Sequence, residues 1–265
     1  MYTPGTHLMD VVLGPSVFLP LATLLGLCLG SFYTVCVHRF LTGQSIVFPG
    51  SHCPRCSHPL AWWENIPVLS YIFLLGSCRT CHTPIPWRYP ALELLSGLVA
   101  LLLGLVFGPT RFWLVYMVLS GFFLIASFID LEVSLLPDKL TYPAALLALI
   151  TPAILPVTWA ETLLGAGLGA GLFWLLQQTY LRWRRIDALG TGDIKLMLSL
   201  GALVGVSRLP LMILCAALSA LLMAGVYMHR ASGQGLQTAI PFGPFLCLGA
   251  FVTLLWGEYI LYWIT

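Results

Sequence analysis

Apolar residues run in long blocks along almost the whole chain, broken by short polar joints. Runs long enough to cross about 30 Å of hydrocarbon occur near 14–38, 89–108, 111–130, 139–157, 160–181, 194–207, 208–228 and 240–262. The sixth is the shortest and is bounded by Lys195 and Arg208, so a broken or tilted helix would fit it. The longest polar interval, about 39–88, separates the first two runs. This spacing predicts an all-α polytopic membrane protein of about eight transmembrane helices, with a small loop domain between helices 1 and 2. The fifth run carries Gly165, Gly167, Gly169 and Gly171, small residues that let helix backbones approach closely in lipid. Helix packing is the expectation there, ahead of a ligand passage.

Composition agrees with the pattern. Of 265 residues, 59% are hydrophobic and 8% charged, against roughly 25% charged in soluble domains. A net charge of +2 gives no electrostatic support for a nucleic-acid partner; lipid is the expected surrounding. The first apolar run lacks a basic leading region and a small-residue cleavage site, so no signal peptide is expected. Charge also sets the orientation. With eight spans and the N-terminus outside, Arg39, Arg55, Arg79, Arg88, Lys139, Arg182, Arg184, Arg185, Lys195 and Arg230 lie in the cytoplasm, leaving only Arg111 and Arg208 outside. That is a strong positive-inside bias, and it makes the 39–88 loop cytoplasmic.

The eight cysteines divide accordingly. Cys28, Cys36, Cys215 and Cys247 fall in apolar runs and are expected to pack. Cys53-Pro54-Arg55-Cys56 and Cys78-Arg79-Thr80-Cys81 share the loop, with 21 residues between them. Two such knuckles suit a four-thiolate zinc site, in a compartment where disulfides rarely persist. Four cysteines leave no open coordination position, so one structural zinc per chain is expected. His52, His58 and His82 then read as loop histidines.

Two acids sit at the ends of apolar runs. Asp130 closes the third, and Asp193 opens the sixth within Gly190-Thr191-Gly192-Asp193-Ile194-Lys195. The topology puts both near the cytoplasmic boundary, where a carboxylate is a functional candidate. Asp193 alone could be a helix cap. Gly190 and Gly192 lack Cβ atoms, so another backbone could lie close by. Two carboxyls brought together cannot both ionise cheaply, and such a pair suits general acid–base proteolysis. Asp138 precedes the fourth run and is expected to cap it, and Glu132 is expected to be solvated. Glu93, inside the second run, needs a partner, which Arg88 or a neighbouring helix could supply. Glu64 either orients something in the loop or serves as a loop hydrogen-bonder. Lys195 either acts on Asp193 or holds the helix end at the interface.

At these residues the chain resembles the bacterial type IV prepilin peptidases, the prepilin leader peptidase/N-methyltransferases. The resemblance covers nearly the whole chain. It includes Gly30-Ser31-Phe32 with His38-Arg39, both knuckles, Trp63-Glu64-Asn65-Ile66-Pro67, and Arg88-Tyr89-Pro90 with Glu93. It continues through Ile129-Asp130, Leu136-Pro137-Asp138, Gly190-x-Gly192-Asp193-x-Lys195 and Ile240-Pro241-Phe242-Gly243-Pro244. The resemblance implies that Asp130 and Asp193 are catalytic aspartates of a membrane-embedded endopeptidase, with Gly190, Gly192 and Lys195 in support. It implies removal of the basic leader from type IV prepilins or type II secretion pseudopilins after a glycine. Methylation of the new N-terminus by S-adenosylmethionine would follow. The implied home is the inner membrane, multi-pass, with the active site facing the cytoplasm. One departure stands out: Thr34 occupies a position where the family usually has asparagine, beside the loop associated with methylation. No glycine-rich fingerprint marks a methyl-donor site.

The expected division is 1–38 as a periplasmic N-terminus and first transmembrane helix, 39–88 as the zinc loop associated with methyl transfer, and 89–265 as the membrane-embedded peptidase core. A peptidase without methyl transfer is the nearest alternative. Readings of other classes are a thiol oxidoreductase using the Cys-x-x-Cys pairs and a transporter using the two aspartates as proton relays.

Overall fold

The computed structural model describes residues 14–185, 190–230 and 241–264. Residues 1–13 of the expected N-terminal domain, and Ile240 of the Ile240–Pro244 stretch, lie outside them. The helices are α1 (Pro15–Thr42), α2 (Leu69–Phe73), α3 (Arg88–Phe107), α4 (Arg111–Val133), α5 (Asp138–Ile150), α6 (Trp159–Arg184), α7 (Thr191–Val204), α8 (Leu209–Arg230) and α9 (Gly243–Ile264). Among the described residues there is no strand, only two isolated bridges in the loop. Among the described residues six helices are long and apolar enough to cross a membrane: α1, α3, α4, α6, α8 and α9. The protein is a multi-pass membrane protein. The other two runs, α5 and α7, have 13 and 14 residues, roughly 20 Å at 1.5 Å per residue. The fourth run stops being α-helical at Ile150 and turns through a 3-10 segment at Thr151–Ala153, where Pro152 brings no N–H to the ladder.

The chain forms two compact units, Met1–Ile125 and Ala126–Thr265, with the boundary inside α4. In the first unit α1 lies against α3. A Cβ at Gly26 would lie 2.7 Å from the Ser96 carbonyl oxygen. Trp113 of α4 donates its indole N–H to the Ala100 carbonyl at 3.1 Å and meets Phe18 edge-on at 5.3 Å. At the far end of α1, the Gly43 φ of 69° ends the helix, and the buried Arg39 folds the chain back. Its guanidinium donates to the carbonyls of Ser45, Ile46, Pro49 and Gly50 at 2.8, 2.9, 2.5 and 3.2 Å. Carbonyl dipoles thus compensate a buried cation that has no carboxylate beside it among the described residues.

In the second unit, α6 and α7 meet at glycine. A Cβ at Gly165 would lie 2.2 Å from the Gly201 carbonyl oxygen, and one at Gly201 2.3 Å from that of Gly165. Gly169 also faces α7, where a Cβ would lie 3.3 Å from Met197, whereas a Cβ at Gly167 or Gly171 would meet open space. Only the i and i+4 members share the packed face, as helical geometry requires.

Contacts at the helix ends show that this unit alternates up and down. The N-terminal residues of α5 and α7 are joined by the Lys195–Asp138 ion pair at 2.5 Å, and the start of α9 reaches Asp130 near the end of α4. At the opposite level Glu161, in the first turn of α6, accepts from the N–H and hydroxyl of Ser207 beyond α7. Arg208, preceding α8, pairs with Glu258 near the end of α9 at 2.7 Å. Helices α4 to α9 therefore traverse in alternating directions, the order the eight-run pattern demands, with two of them short.

Candidate active site and metal centre

The loop between α1 and α3 is shaped by a repeat that spacing alone did not reveal. Cys53-x-x-Cys56-x-x-Pro59-Leu60 recurs 25 positions on as Cys78-x-x-Cys81-x-x-Pro84-Ile85. Both copies close in the same way. Cys53 N–H donates to His58 O and Ser57 N–H to Cys53 O, as Cys78 N–H does to Thr83 O and His82 N–H to Cys78 O, all at 2.9 Å. Ser57 and His82 take the same positive φ, 56° and 54°. These turns carry all four sulfurs to within 4.8 Å of one another. Sulfurs of opposite knuckles approach to 3.8 Å (Cys53–Cys81) and 4.0 Å (Cys56–Cys78). A tetrahedral zinc with bonds of about 2.3 Å separates its sulfurs by about 3.8 Å. The set fits zinc, and no disulfide joins these cysteines.

Electrostatics points the same way. The Thr83 hydroxyl, 3.2 Å from Cys81 Sγ, favours the thiolate and holds that group at about 6. Cys56 receives the His58 N–H, yet burial and its three sulfur neighbours push it up to about 11. Four thiols at this spacing cannot all ionise unless a cation compensates them. His52 Nδ1 donates to the Gly50 carbonyl at 2.8 Å and His58 lies 3.7 Å from Glu64, so these two histidines have partners outside the sulfur cluster. Glu64 is buried; one oxygen accepts the Ala61 N–H at 2.7 Å. Of the remaining cysteines, Cys36 is buried as expected, but Cys28 is exposed on its helix.

In the second unit Asp130 is 5% exposed and stands one turn before the end of α4. Its Oδ2 accepts the backbone N–H of Gly243, the first residue of α9, at 3.1 Å. First-turn N–H groups have no partner inside their own helix and carry partial positive charge, so this one is free to hold a carboxylate. A Cβ at Gly243 would lie 2.7 Å from that oxygen. Sequence reasoning gave Gly243 no role; its place in Pro241-Phe242-Gly243-Pro244, where a helix begins, was the available signal.

Asp193 is the third residue of α7, half-buried, and Gly190 is the N-cap with no side-chain cap bond. Asp193 is therefore not the N-cap residue, although its carboxyl takes a bond from the Gly190 backbone N–H. The charges of Asp130 and Asp193 act on each other and on the thiol of Cys247. Gly192 brings the Leu135–Pro137 segment close: a Cβ there would lie 2.7 Å from Leu136 Cβ. A Cβ at Gly190 would meet little beyond the Asp193 carboxyl, at 3.5 Å.

Two expectations change. Asp138 does not cap α5; Pro137 is the N-cap and Asp138 the first helical residue. Its partner is Lys195, which bonds to it at 2.5 Å and lies 5.1 Å over the Tyr142 ring. Lys195 thus joins two helix starts. Glu132 is exposed, as expected. Glu93 accepts the Val68 N–H at 2.7 Å and a bond from Ser31, so the loop and α1 supply the partners it needed.

Known proteins match this sequence over most of its length. A family model described as the bacterial peptidase A24 N-terminal domain matches residues 24–107, and one described as the type IV leader peptidase family matches residues 117–225. A prepilin leader peptidase/N-methyltransferase of Aeromonas salmonicida (strain A449) is 32% identical over 288 residues, covering 97% of this chain and 98% of the relative. Proteins of the same name from Burkholderia pseudomallei (strain K96243) and Pseudomonas aeruginosa are 36% and 34% identical, covering 90% and 93% of this chain and 85% and 93% of theirs. The chain belongs to the prepilin leader peptidase/N-methyltransferase family. The family's N-terminal match contains both knuckles, and the leader-peptidase match contains Asp130 and Asp193. No solved structure matches.

Proposed function

We propose that the chain is a membrane-embedded aspartic endopeptidase that removes the basic leader of type IV prepilins or type II secretion pseudopilins after a glycine, then methylates the new N-terminal amine. The observation that carries the peptidase half is the buried Asp130, held by the Gly243 N–H within electrostatic reach of Asp193. Two interacting carboxyls retain one proton between them. The ionised member takes a proton from water as it attacks the scissile carbonyl, and the protonated member delivers one to the leaving amine. The Gly243 N–H fixes the rotation of Asp130, so the pair is aligned before substrate arrives. Gly190 and Gly192 keep the start of α7 narrow beside Asp193, and Lys195 holds α7 to α5 through Asp138.

A helical pilin segment in lipid keeps its carbonyls bonded internally, so the cut falls where that helix has ended, at the cytoplasmic boundary of the inner membrane. The basic leader stays in the cytoplasm under the same charge bias that orients the enzyme. Cys53, Cys56, Cys78 and Cys81 hold one zinc, which supplies a closed structural clamp for the 39–88 loop. That loop serves methyl transfer, with S-adenosylmethionine as the donor substrate. What favours this reading over a thiol oxidoreductase is that all four sulfurs, within and across the knuckles, lie within 4.8 Å of one another, a spacing that suits one shared metal ion.

Mass spectrometry of a prepilin incubated with the purified protein and S-adenosylmethionine tests both halves. Loss of the leader followed by the gain of one methyl group is the expected result. An intact precursor would overturn the peptidase assignment.

A further inference from the structure

The Pro67-Val68-Leu69 turn takes a shape that its residues do not favour. The Leu69 N–H donates to the Pro67 carbonyl at 2.6 Å, closing a three-residue γ-turn centred on Val68 at φ 62° and ψ −47°. γ-turns of this positive-φ kind are rare and strained, and a β-branched residue is a genuine outlier there. The Leu69–Pro67 bond and the Ile72 N–H bond to the Val68 carbonyl at 3.1 Å are local backbone bonds, and such a conformation persists only where its surroundings over-determine it. The contact from outside the loop comes from a membrane helix: Val68 N–H donates to Glu93 Oε2 at 2.7 Å. Glu93 sits in the second turn of α3 and is itself fixed by α1. Ser31 bonds to its carboxylate, and a Cβ at Gly30 would lie 2.7 Å from its Cα. Val68 belongs to the stretch that joins the two knuckles, so the bond ties that stretch to α1 and α3.

We propose that Glu93 is a positioning residue, a latch whose carboxylate holds the strained Val68 turn and so sets the inter-knuckle segment in the arrangement methyl transfer uses. The inference rests on reading the zinc loop as the methyl-transfer part. A carboxylate on α3 is needed for this because the turn's N–H points away from its own short helix, and a charged acceptor forms the stronger bond.

The test uses the full-length enzyme and reads hydrogen exchange over residues 66–75 beside prepilin cleavage and methylation. Glu93→Ala is expected to raise exchange in that segment by roughly tenfold or more and to lower methylation by a similar factor, with cleavage and zinc content unchanged. Glu93→Gln keeps an acceptor oxygen and falls between. Val68→Gly, added to Glu93→Ala, is expected to restore protection and methylation in large part, because glycine takes φ > 0 without a clamp. A general loss of folding would not be rescued this way. Val68→Pro leaves α1 and α3 untouched but removes the N–H and forbids positive φ, so it must reproduce Glu93→Ala. Unchanged exchange in Glu93→Ala, or no rescue by Val68→Gly, overturns the latch. Altered exchange with normal methylation overturns the positioning role. A wild-type protein that cleaves but never methylates fails the reading of the loop, while the exchange result still decides the latch.

Discussion

In the loop between α1 and α3 the four sulfurs come from residues at most 28 positions apart, and each knuckle is closed by its own backbone bonds. Asp130 and Asp193 are separated by 62 residues, and the N–H that holds Asp130 comes from 113 positions away. The sulfur cluster is a local structure at a spacing that a metal ion such as zinc could complete. The acid pair is a product of helix packing: α4, α7 and α9 must each end or begin at one level before it exists. The two regions should therefore fail differently. Damage to the first removes metal and leaves the packing of the second unit, while damage to helix contacts in the second unit removes cleavage and leaves the metal.

The largest effect expected is on the acid pair. Asp130→Asn or Asp193→Asn should lower leader cleavage by about 10²–10⁴-fold or more, the scale of general acid–base catalysis, with zinc near one per chain by elemental analysis. Loss of zinc in these variants would break the comparison. Gly243→Ala comes next. Its methyl, 2.7 Å from Asp130 Oδ2, must displace the carboxyl, and a misplacement of this size costs about 100-fold in cleavage rate. Gly201→Val is expected to destabilise the second unit by about 1–3 kcal/mol, since its Cβ would meet a backbone carbonyl at 2.3 Å; thermal melting in detergent reads this directly.

In the first unit, Cys56→Ser should abolish zinc retention and methylation while cleavage of prepilin stays within a few-fold. The metal-free protein should also show a defined pH response. Cys56, at about 11, is protonated near neutrality, whereas Cys81, at about 6, is already ionised. Zinc uptake must therefore release protons, and affinity must rise with pH; a competition titration at two pH values checks the sign. The smallest effect is expected at Lys195→Met. Its exposed pair with Asp138 is screened by solvent, so cleavage should change a few-fold at most.

Legibility in the sequence followed the same division. Hydrophobic runs placed the helices because burial in lipid leaves a long unbroken signature, and the two Cys-x-x-Cys motifs located the sulfur cluster because its geometry is local. Charge bias and helix order brought Asp130 and Asp193 to one level. What escaped depended on contacts between distant backbones. Gly243 bonds Asp130 through an N–H that every residue except proline possesses, so its type carries no donor signal. Asp138 looked like a cap because it precedes a helix, yet Pro137 occupies that position and Lys195 claims the carboxylate. The end of α5 at Ile150 was hidden by apolar residues that continue past Pro152. Val68 at φ 62° could not be foreseen, since valine is among the residues least suited to it.

The central claim is that Asp130 and Asp193 form one catalytic unit. The most direct measurement compares prepilin cleavage rates of Asp130→Asn, Asp193→Asn and the double variant, each verified to be inserted and zinc-loaded. If the two carboxyls act together, both single variants lose nearly all activity and the double variant is no worse than either. Near-normal cleavage by one single variant, or losses that multiply in the double, would contradict it.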